Sequence, residues 1–325
     1  MRLPAPSESK QRGAGSFFRP KTLLIALKVG DTMSYKTQEK IIIIAFLTIP
    51  FALMVMFLIY PTIRVVYMSF TNWDGVLPKM EFVGLKNYKY IFLVDKEAWV
   101  SLSNNLVYAV SGLVQNIVAL LLAILLTSKV KGRNLLRAVI FLPYILNSVA
   151  VSYMFDFMYN YERSPINVML NAFSLTPIDF LDGSHVNISL ALVCFWRYAG
   201  YSMIIYIAAL QSISKDIYES AQIDGANAPQ TLGYIILPNI KRIIELNLFL
   251  TLSGSLNAFV EPWIITKGGP GTMSRTFLFT IVKNAFEFSR FSYAAALAVV
   301  LILMALLLTG IQKKVILRGG SRDGE

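Results

Sequence analysis

The stretch Tyr218-Glu-Ser-Ala-Gln-Ile-Asp-Gly-Ala-Asn-Ala-Pro229, followed by Leu237-Pro238, is polar and stands between two long apolar runs. Its acidic and small residues are excluded from hydrocarbon, so it lies at an aqueous surface and can present a short helix to something outside a membrane. Asp216, with Glu219 three residues later, reads as a capping box that opens this helix, and Gly225 ends it. Ile217, Tyr218 and Ala221 offer an apolar face, and Ser220 and Ala221 keep the surface small enough for close approach. Pro229 suits the first turn of a second helix that stops before Pro238. The expected product is an L-shaped element able to enter a cleft on a soluble partner, although an ordinary re-entry loop between helices shares the pattern.

Outward from this segment the chain is dominated by apolar runs. Apolar residues make up 55% of 325 positions and charged residues only 15%, outside the range of a soluble domain. About 20 apolar residues are needed to cross a bilayer as a helix. Six runs qualify, at 41–60, 106–126, 138–159, 188–210, 243–265 and 292–311. The fold class is therefore all-α, a polytopic membrane protein with six transmembrane helices. An even number of spans puts both termini on one side. Lys and Arg number 19 in the tails and loops of that side against 10 on the other, which places both termini and the polar segment in the cytoplasm. The net charge of +11 then reflects topology and attraction to anionic membrane lipid. Nucleic acid is not an expected partner, because the basic residues are divided among separate loops.

Residues 1–40 are expected to form a cytoplasmic tail with an interfacial turn at most, since Pro4, Pro6, Ser7, Gly13 and Gly15 precede a stretch without a long apolar core. The apolar run 23–27 is too short for a cleavable signal, and 41–60 has the length of a retained span. The permease-like body is expected over 41–315, with a second tail at 316–325. In the outer loop 71–105, Phe82-Val-Gly-Leu-Lys-Asn-Tyr88 and Tyr90-Ile-Phe-Leu93 suit a short amphipathic helix, either an interfacial anchor or a docking surface for an extracytoplasmic partner. The single Cys194 excludes a disulfide framework, and with one histidine, His185, a zinc site lacks its ligands.

Polar content is concentrated in the spans on either side of the polar segment. In the fifth, Asn247, Thr251, Ser255 and Ala258 recur at helical spacing, with Asn257 and Glu261 on a neighbouring stripe. In the fourth, Cys194, Tyr198 and Tyr201 share a face, with Arg197 beside it. Amides and hydroxyls match sugar hydroxyls, and aromatic rings stack on the apolar faces of pyranoses. Ser and Thr hydroxyls equally often return to the preceding helical turn, and Gly254 with Ser255 also suits close helix packing. Arg197 as a free cation would suit an acidic sugar such as a uronate oligosaccharide. Pairing with Asp156 or Glu261 is the favoured expectation, since an unpaired buried charge is the costlier state.

The spacing Glu219-Ser-Ala, Asp224-Gly225-Ala226, then Leu237-Pro238, resembles the EAA motif of permease subunits from binding-protein-dependent ABC importers. Phe82-Val-Gly-Leu-Lys-Asn-Tyr88, Phe141-Leu-Pro143 and Thr266-Lys-Gly-Gly-Pro270 are similar to the carbohydrate-uptake branch, in order and over residues 40 to 315. The last is similar to the maltose-type and glycerol-phosphate-type "A" subunits. Ser220 departs from the usual Ala, a small-for-small change, and the N-terminal tail has no counterpart in the family.

The resemblance implies a type I ABC importer permease fold and a second homologous permease as partner. It also implies a dimer of cytoplasmic ATP-binding subunits and an extracytoplasmic solute-binding protein. Residues 214–229 would be the coupling helix, with Asp216, Tyr218, Glu219, Ser220, Ala221, Asp224, Gly225 and Ala226 at the ATPase surface. ATPase closure would drive alternating access. The positions lining the sugar path in maltose-type permeases fall at Cys194, Tyr198, Tyr201, Thr251, Ser255 and Ala258. The chain has no Gly-x-x-x-x-Gly-Lys-[Ser/Thr] phosphate loop, so no cofactor is expected in it, and ATP and Mg belong to the partner ATPase. It is therefore not expected to be an enzyme.

An ion-coupled secondary transporter is the alternative, but it would usually show inverted repeats, and none is evident between the halves. An intramembrane enzyme would need a catalytic set, and neither His-Glu-x-x-His nor Gly-x-Ser-x-Gly occurs.

Overall fold

The computed structural model of the chain describes residues 34–76, 79–128 and 130–320, and among these every regular element is helical. The expectations for residues 1–33 lie outside the described residues. Two compact units divide at Thr62 and Ile63. Helix α1 (Tyr35–Met54) runs without a break through a π-helical turn (Val55–Ile59) into α2 (Tyr60–Met68), within which the division falls. The helix thus begins at Tyr35, before the expected span start at 41. Its Thr48 and Thr62 hydroxyls donate to the carbonyls of Ile44 and Leu58, at 2.6 Å each, which hides both polar groups from an apolar surround.

The second unit contains α3 (Lys86–Leu93), α4 (Lys96–Thr127), α5 (Arg133–Ile145), α6 (Ser148–Tyr159), α7 (Pro165–Ala172) and α8 (Val186–Gln211). There follow α9 (Lys215–Ile223), α10 (Ala228–Gln230), α11 (Leu237–Leu256), α12 (Phe277–Phe286) and α13 (Phe291–Gly320). The expected short outer helix is present as α3. Its Ile91 is buried with Ala98, Phe277, Tyr293, Ala296 and Leu297. Asp95 caps α4 by accepting from the Ala98 amide and also accepts from the Tyr293 hydroxyl, so one carboxylate ties the starts of α4 and α13 together.

Helices α4 and α8 form the spine of the unit. The buried side of α4 carries Ala98, Ser101, Asn105, Tyr108, Gln115, Ala119, Ala123 and Leu126, a stripe at helical spacing made largely of small and polar residues. Small residues let helix backbones approach where no hydrophobic force drives them together in lipid. Ala119, Ala123 and Leu126 pack with Met203, Tyr206, Ile207 and Leu210 of α8 and with Ile236 and Ile240. Gly200 of α8 lies so close to α5 that a Cβ there would stand 2.1 Å from the Ile140 carbonyl oxygen.

The six expected spans are only partly continuous. Among the described residues four helices are long and apolar enough to cross a membrane, at 35–68, 96–127, 186–211 and 291–312. The third expected span, 138–159, is instead a bent pair, α5 and α6 meeting at 96°. The bend follows from Asn147, whose side chain accepts from the Val149 and Ala150 amides and so starts a new helix. The fifth, 243–265, is broken. Helix α11 ends at Leu256, and a π-helical turn (Pro262–Thr266) follows after Asn257–Glu261. Lys241, Arg242 and Glu245, together with its serines, threonine and asparagines, also keep α11 below the apolarity of the other spans. Broken helices at membrane depth survive only where protein or an aqueous cavity covers the freed backbone. Here the Thr276 hydroxyl donates to the Ala258 carbonyl at 2.5 Å.

Candidate functional site

Helices α4, α5, α8 and α11 enclose a cavity of about 390 Å³. All ten path residues singled out from the sequence line it: Cys194, Arg197, Tyr198 and Tyr201 from α8, Asn247, Thr251 and Ser255 from α11, and Asn257, Ala258 and Glu261 from the break that follows. Periodicity brings each set to one face of its own helix, and the packing of α8 beside α11 brings the two faces together. Tyr201 stacks on Tyr144 of α5 at 4.6 Å between ring centroids, and Tyr144 meets Tyr198 edge-on at 5.9 Å. The three rings form an aromatic wall, with Tyr198 42% exposed.

Several of the polar groups are already occupied by the protein. Asn116 of α4 accepts from the Tyr206 hydroxyl at 2.7 Å and from the Asn247 amide at 2.8 Å, and donates to the Thr251 hydroxyl at 2.8 Å. The Thr251 and Ser255 hydroxyls donate to the Asn247 and Leu252 carbonyls of their own helix, and the Asn257 amide to that of Ser253. The return of hydroxyls to the preceding turn therefore holds for both. Asn247, at 1% exposure, is a helix-to-helix tie at the cavity margin. Asn116 and Tyr144 were missed in the sequence. The signal for the first was the polar pair Gln115-Asn116 in the middle of an apolar run, and for the second an aromatic directly after Phe141-Leu-Pro143. Replacing Asn116 by leucine is expected to cost about 1–2 kcal/mol, the upper end for hydrogen bonds between membrane helices. A lowered thermal midpoint of the detergent-purified protein checks this, and an unchanged one removes the network from the stability of the bundle.

Arg197 donates through Nη1 to Glu261 Oε1 at 2.9 Å, with both residues buried, so pairing with Glu261 and not with Asp156 is the outcome. The guanidinium also lies 5.2 Å from the Tyr198 ring centroid. Arg197 and Glu261 are the charged residues of the cavity wall. The lone histidine, His185, stands away from the cavity in the loop before α8, 2.8 Å from the Ser184 hydroxyl. That hydroxyl and the Ser184 and Gly183 amides hold the exposed Asp182 carboxyl below its ordinary pKa.

Between α8 and α11 the polar segment folds as a helix and a turn, with three corrections. Its N-cap is Ser214, whose hydroxyl accepts from the Asp216 amide at 3.3 Å, so Asp216 and Glu219 do not form a capping box. Asp216 instead sits in the first turn, where its charge favours the helix dipole. The capping box is four residues past α9, where the Gln230 amide donates to Asn227 Oδ1 and the Asn227 amide to Gln230 Oε1. Second, the following helix does not stop before Pro238. It continues through a π-helical turn (Thr231–Ile236) into α11, and the wider turn accommodates the missing proline N–H.

Third, Ala221 is buried and Tyr218 packs against the chain's own core, so these two do not offer an outward apolar face. Burial pushes the Tyr218 phenol up from its ordinary pKa. Asp216, Glu219 and Ser220 are exposed, as is Ile223, which the sequence reading passed over and which is 86% exposed. These four recur at helical spacing as an outward stripe. Gly225 ends the helix as expected, at φ 76°, with its amide donating to the Gln222 carbonyl and that of Ala226 to Ala221. Asp224 is exposed and Ala226 half-buried beside it.

Residues 115–318 match the family described as binding-protein-dependent transport system inner membrane component. The chain is 34% identical over 283 residues to the probable ABC transporter permease protein YurN of Bacillus subtilis, covering 85% of this chain and 96% of that one. It is 30% identical over 276 residues to the multiple sugar-binding transport system permease protein MsmF of Streptococcus mutans, covering 83% and 93%. A solved bacterial ABC transporter involved in the import of the acidic polysaccharide alginate has the same fold in one chain, with a TM-score of 0.74 and 24% identity over 86% of this chain and 98% of that one. The chain belongs to the binding-protein-dependent inner-membrane transport components, as a permease of the carbohydrate ABC importer type.

Proposed function

We propose that this permease carries a sugar or oligosaccharide through the cavity between α8 and α11, and that residues 214–229 couple that movement to cytoplasmic ATP-binding subunits. One observation carries the reading: the polar segment is the covalent link between α8 and α11, which with the break that directly follows α11 supply all ten of these cavity residues. A force applied to α9 therefore reaches both cavity walls along the chain itself, on one side through α8 and on the other through α10 and its π-helical turn into α11. The exposed stripe Asp216, Glu219, Ser220 and Ile223 suits a groove on an ATPase, with Ile223 as an apolar anchor and Glu219 as a hydrogen-bond partner. ATP and Mg would bind in those subunits. In this reading both termini are cytoplasmic, a second homologous permease completes the path, and an extracytoplasmic binding protein delivers the sugar. The aromatic wall of Tyr144, Tyr198 and Tyr201 offers stacking faces for pyranose rings. The reading of Arg197 as a free cation for a uronate loses support from Glu261 at 2.9 Å, so the substrate is held here at the level of a sugar.

Co-purification from the native host in mild detergent tests the reading. A second permease and ATP-binding subunits are expected to stay with the chain, with ATPase activity stimulated by one sugar plus its binding protein. A chain that purifies alone and takes up solute in an ion-dependent manner without ATP would overturn it.

A further inference from the structure

We infer that Glu261 sets the charge selectivity of the cavity: by holding Arg197 as a neutral pair it makes the path one for uncharged sugars and against uronates. The inference rests on the sugar-path reading above and narrows its substrate class. Of the cavity-lining residues, Arg197 and Glu261 alone carry formal charge, so the wall is balanced while they are paired. Both are buried, at 8% and 4% exposure, where a charge interacts strongly and is poorly solvated. A sugar carboxylate entering this space would bring a second anion to a cation that Glu261 already engages. Even at the Arg197 Nε–H, which Glu261 does not use, it would stand beside the Glu261 carboxylate in a poorly solvated wall and give the site a net negative charge, and if it displaced Glu261 it would leave that carboxylate buried and unpaired. A neutral sugar meets no such barrier.

The rest of the wall agrees with an uncharged, hydroxyl-rich solute. It holds four tyrosine rings, the amides of Gln115 and Asn257, and the hydroxyls of Ser111, Ser148 and Ser202. The Tyr108 hydroxyl and the Arg197 Nε–H are buried without a hydrogen-bond partner among the described residues. The protein itself leaves these groups unsatisfied, and neither requires an anion as its partner.

Equilibrium binding of labelled neutral and uronate trisaccharide panels to the full importer in nanodiscs, with no binding protein present, tests this apart from the binding protein's own selection. The wild type is expected to bind neutral members and to bind every uronate at least tenfold more weakly. E261Q unmasks Arg197 and is expected to shift the uronate-to-neutral ratio tenfold or more toward the uronate. R197Q/E261Q, balanced again, keeps the wild-type ratio whatever its affinity, which a purely structural role of the pair would not distinguish from E261Q. Should E261Q fail to accumulate, R197Q serves in its place and is expected to weaken uronate binding further. A wild type that prefers a uronate, or one ratio shared by all variants, overturns the inference and leaves the sugar path standing. Binding of neither panel, together with an ATPase that no sugar stimulates, overturns the path reading itself.

Discussion

Replacing Gly200 by valine is expected to abolish accumulation of the folded permease, and replacing it by alanine to lower its thermal midpoint and remove transport. A Cβ at this position would stand 2.1 Å from the Ile140 carbonyl oxygen and 2.7 Å from the Phe141 Cα. These are backbone atoms, so no side chain can rotate away and α5 and α8 must separate. Overpacking absorbed by side chains costs about 1–3 kcal/mol, and a backbone clash belongs at or beyond the upper end. The functional loss has its own cause. Tyr144 on α5 stacks at 4.6 Å on Tyr201 of α8, one residue from Gly200, so parting the helices opens the aromatic wall of the cavity. Thermal unfolding and uptake by the reconstituted importer check both effects. A Gly200→Ala protein with wild-type melting and uptake would show that the two helices yield freely.

The second large effect is expected at the opposite end of the same helix connection. Gly225→Val should uncouple ATP hydrolysis from uptake while the protein still inserts into the membrane. At φ 76° a residue with a Cβ costs about 1–2 kcal/mol, and a β-branched one is the worst choice. Nothing lies within 4 Å of the added Cβ, so the cost is conformational and confined to the turn between α9 and α10. A penalty of that size shifts the ratio of native to alternative turn conformations about 5–30-fold against the native one, which loosens the direction of α9 relative to α11 without unfolding the bundle. Basal ATPase activity is expected to persist while uptake falls by at least tenfold. Normal uptake in this variant would remove residues 214–229 from the coupling role.

How much of this was legible in the sequence follows from what helical periodicity encodes. The membrane class, the outer helix α3, the Gly225 stop and the two polar stripes were readable, because each depends on residues close along the chain. Seven of the ten cavity-lining residues named from the sequence were legible in this way, since spacing tells which side chains share a face of one helix. Spacing also misled at Asp216, where Ser214 two residues earlier reaches the free amide first, and at Pro238, where a π-helical turn upstream keeps the helix going.

By itself, then, the sequence determined the helical membrane class, the polar stripes of single helices and the family. Only the tertiary structure decided which faces meet. It paired Arg197 with Glu261, 64 positions away, bound Asn247 and Thr251 to Asn116, and set Tyr144 against Tyr201. It turned Tyr218 and Ala221 inward and left Ile223 outside, and it bent the third span at Asn147. The physical reason is the same in each case. A helix presents its residues by a local rule, whereas the partner of each face is chosen by packing between segments far apart in the chain, which no local pattern records.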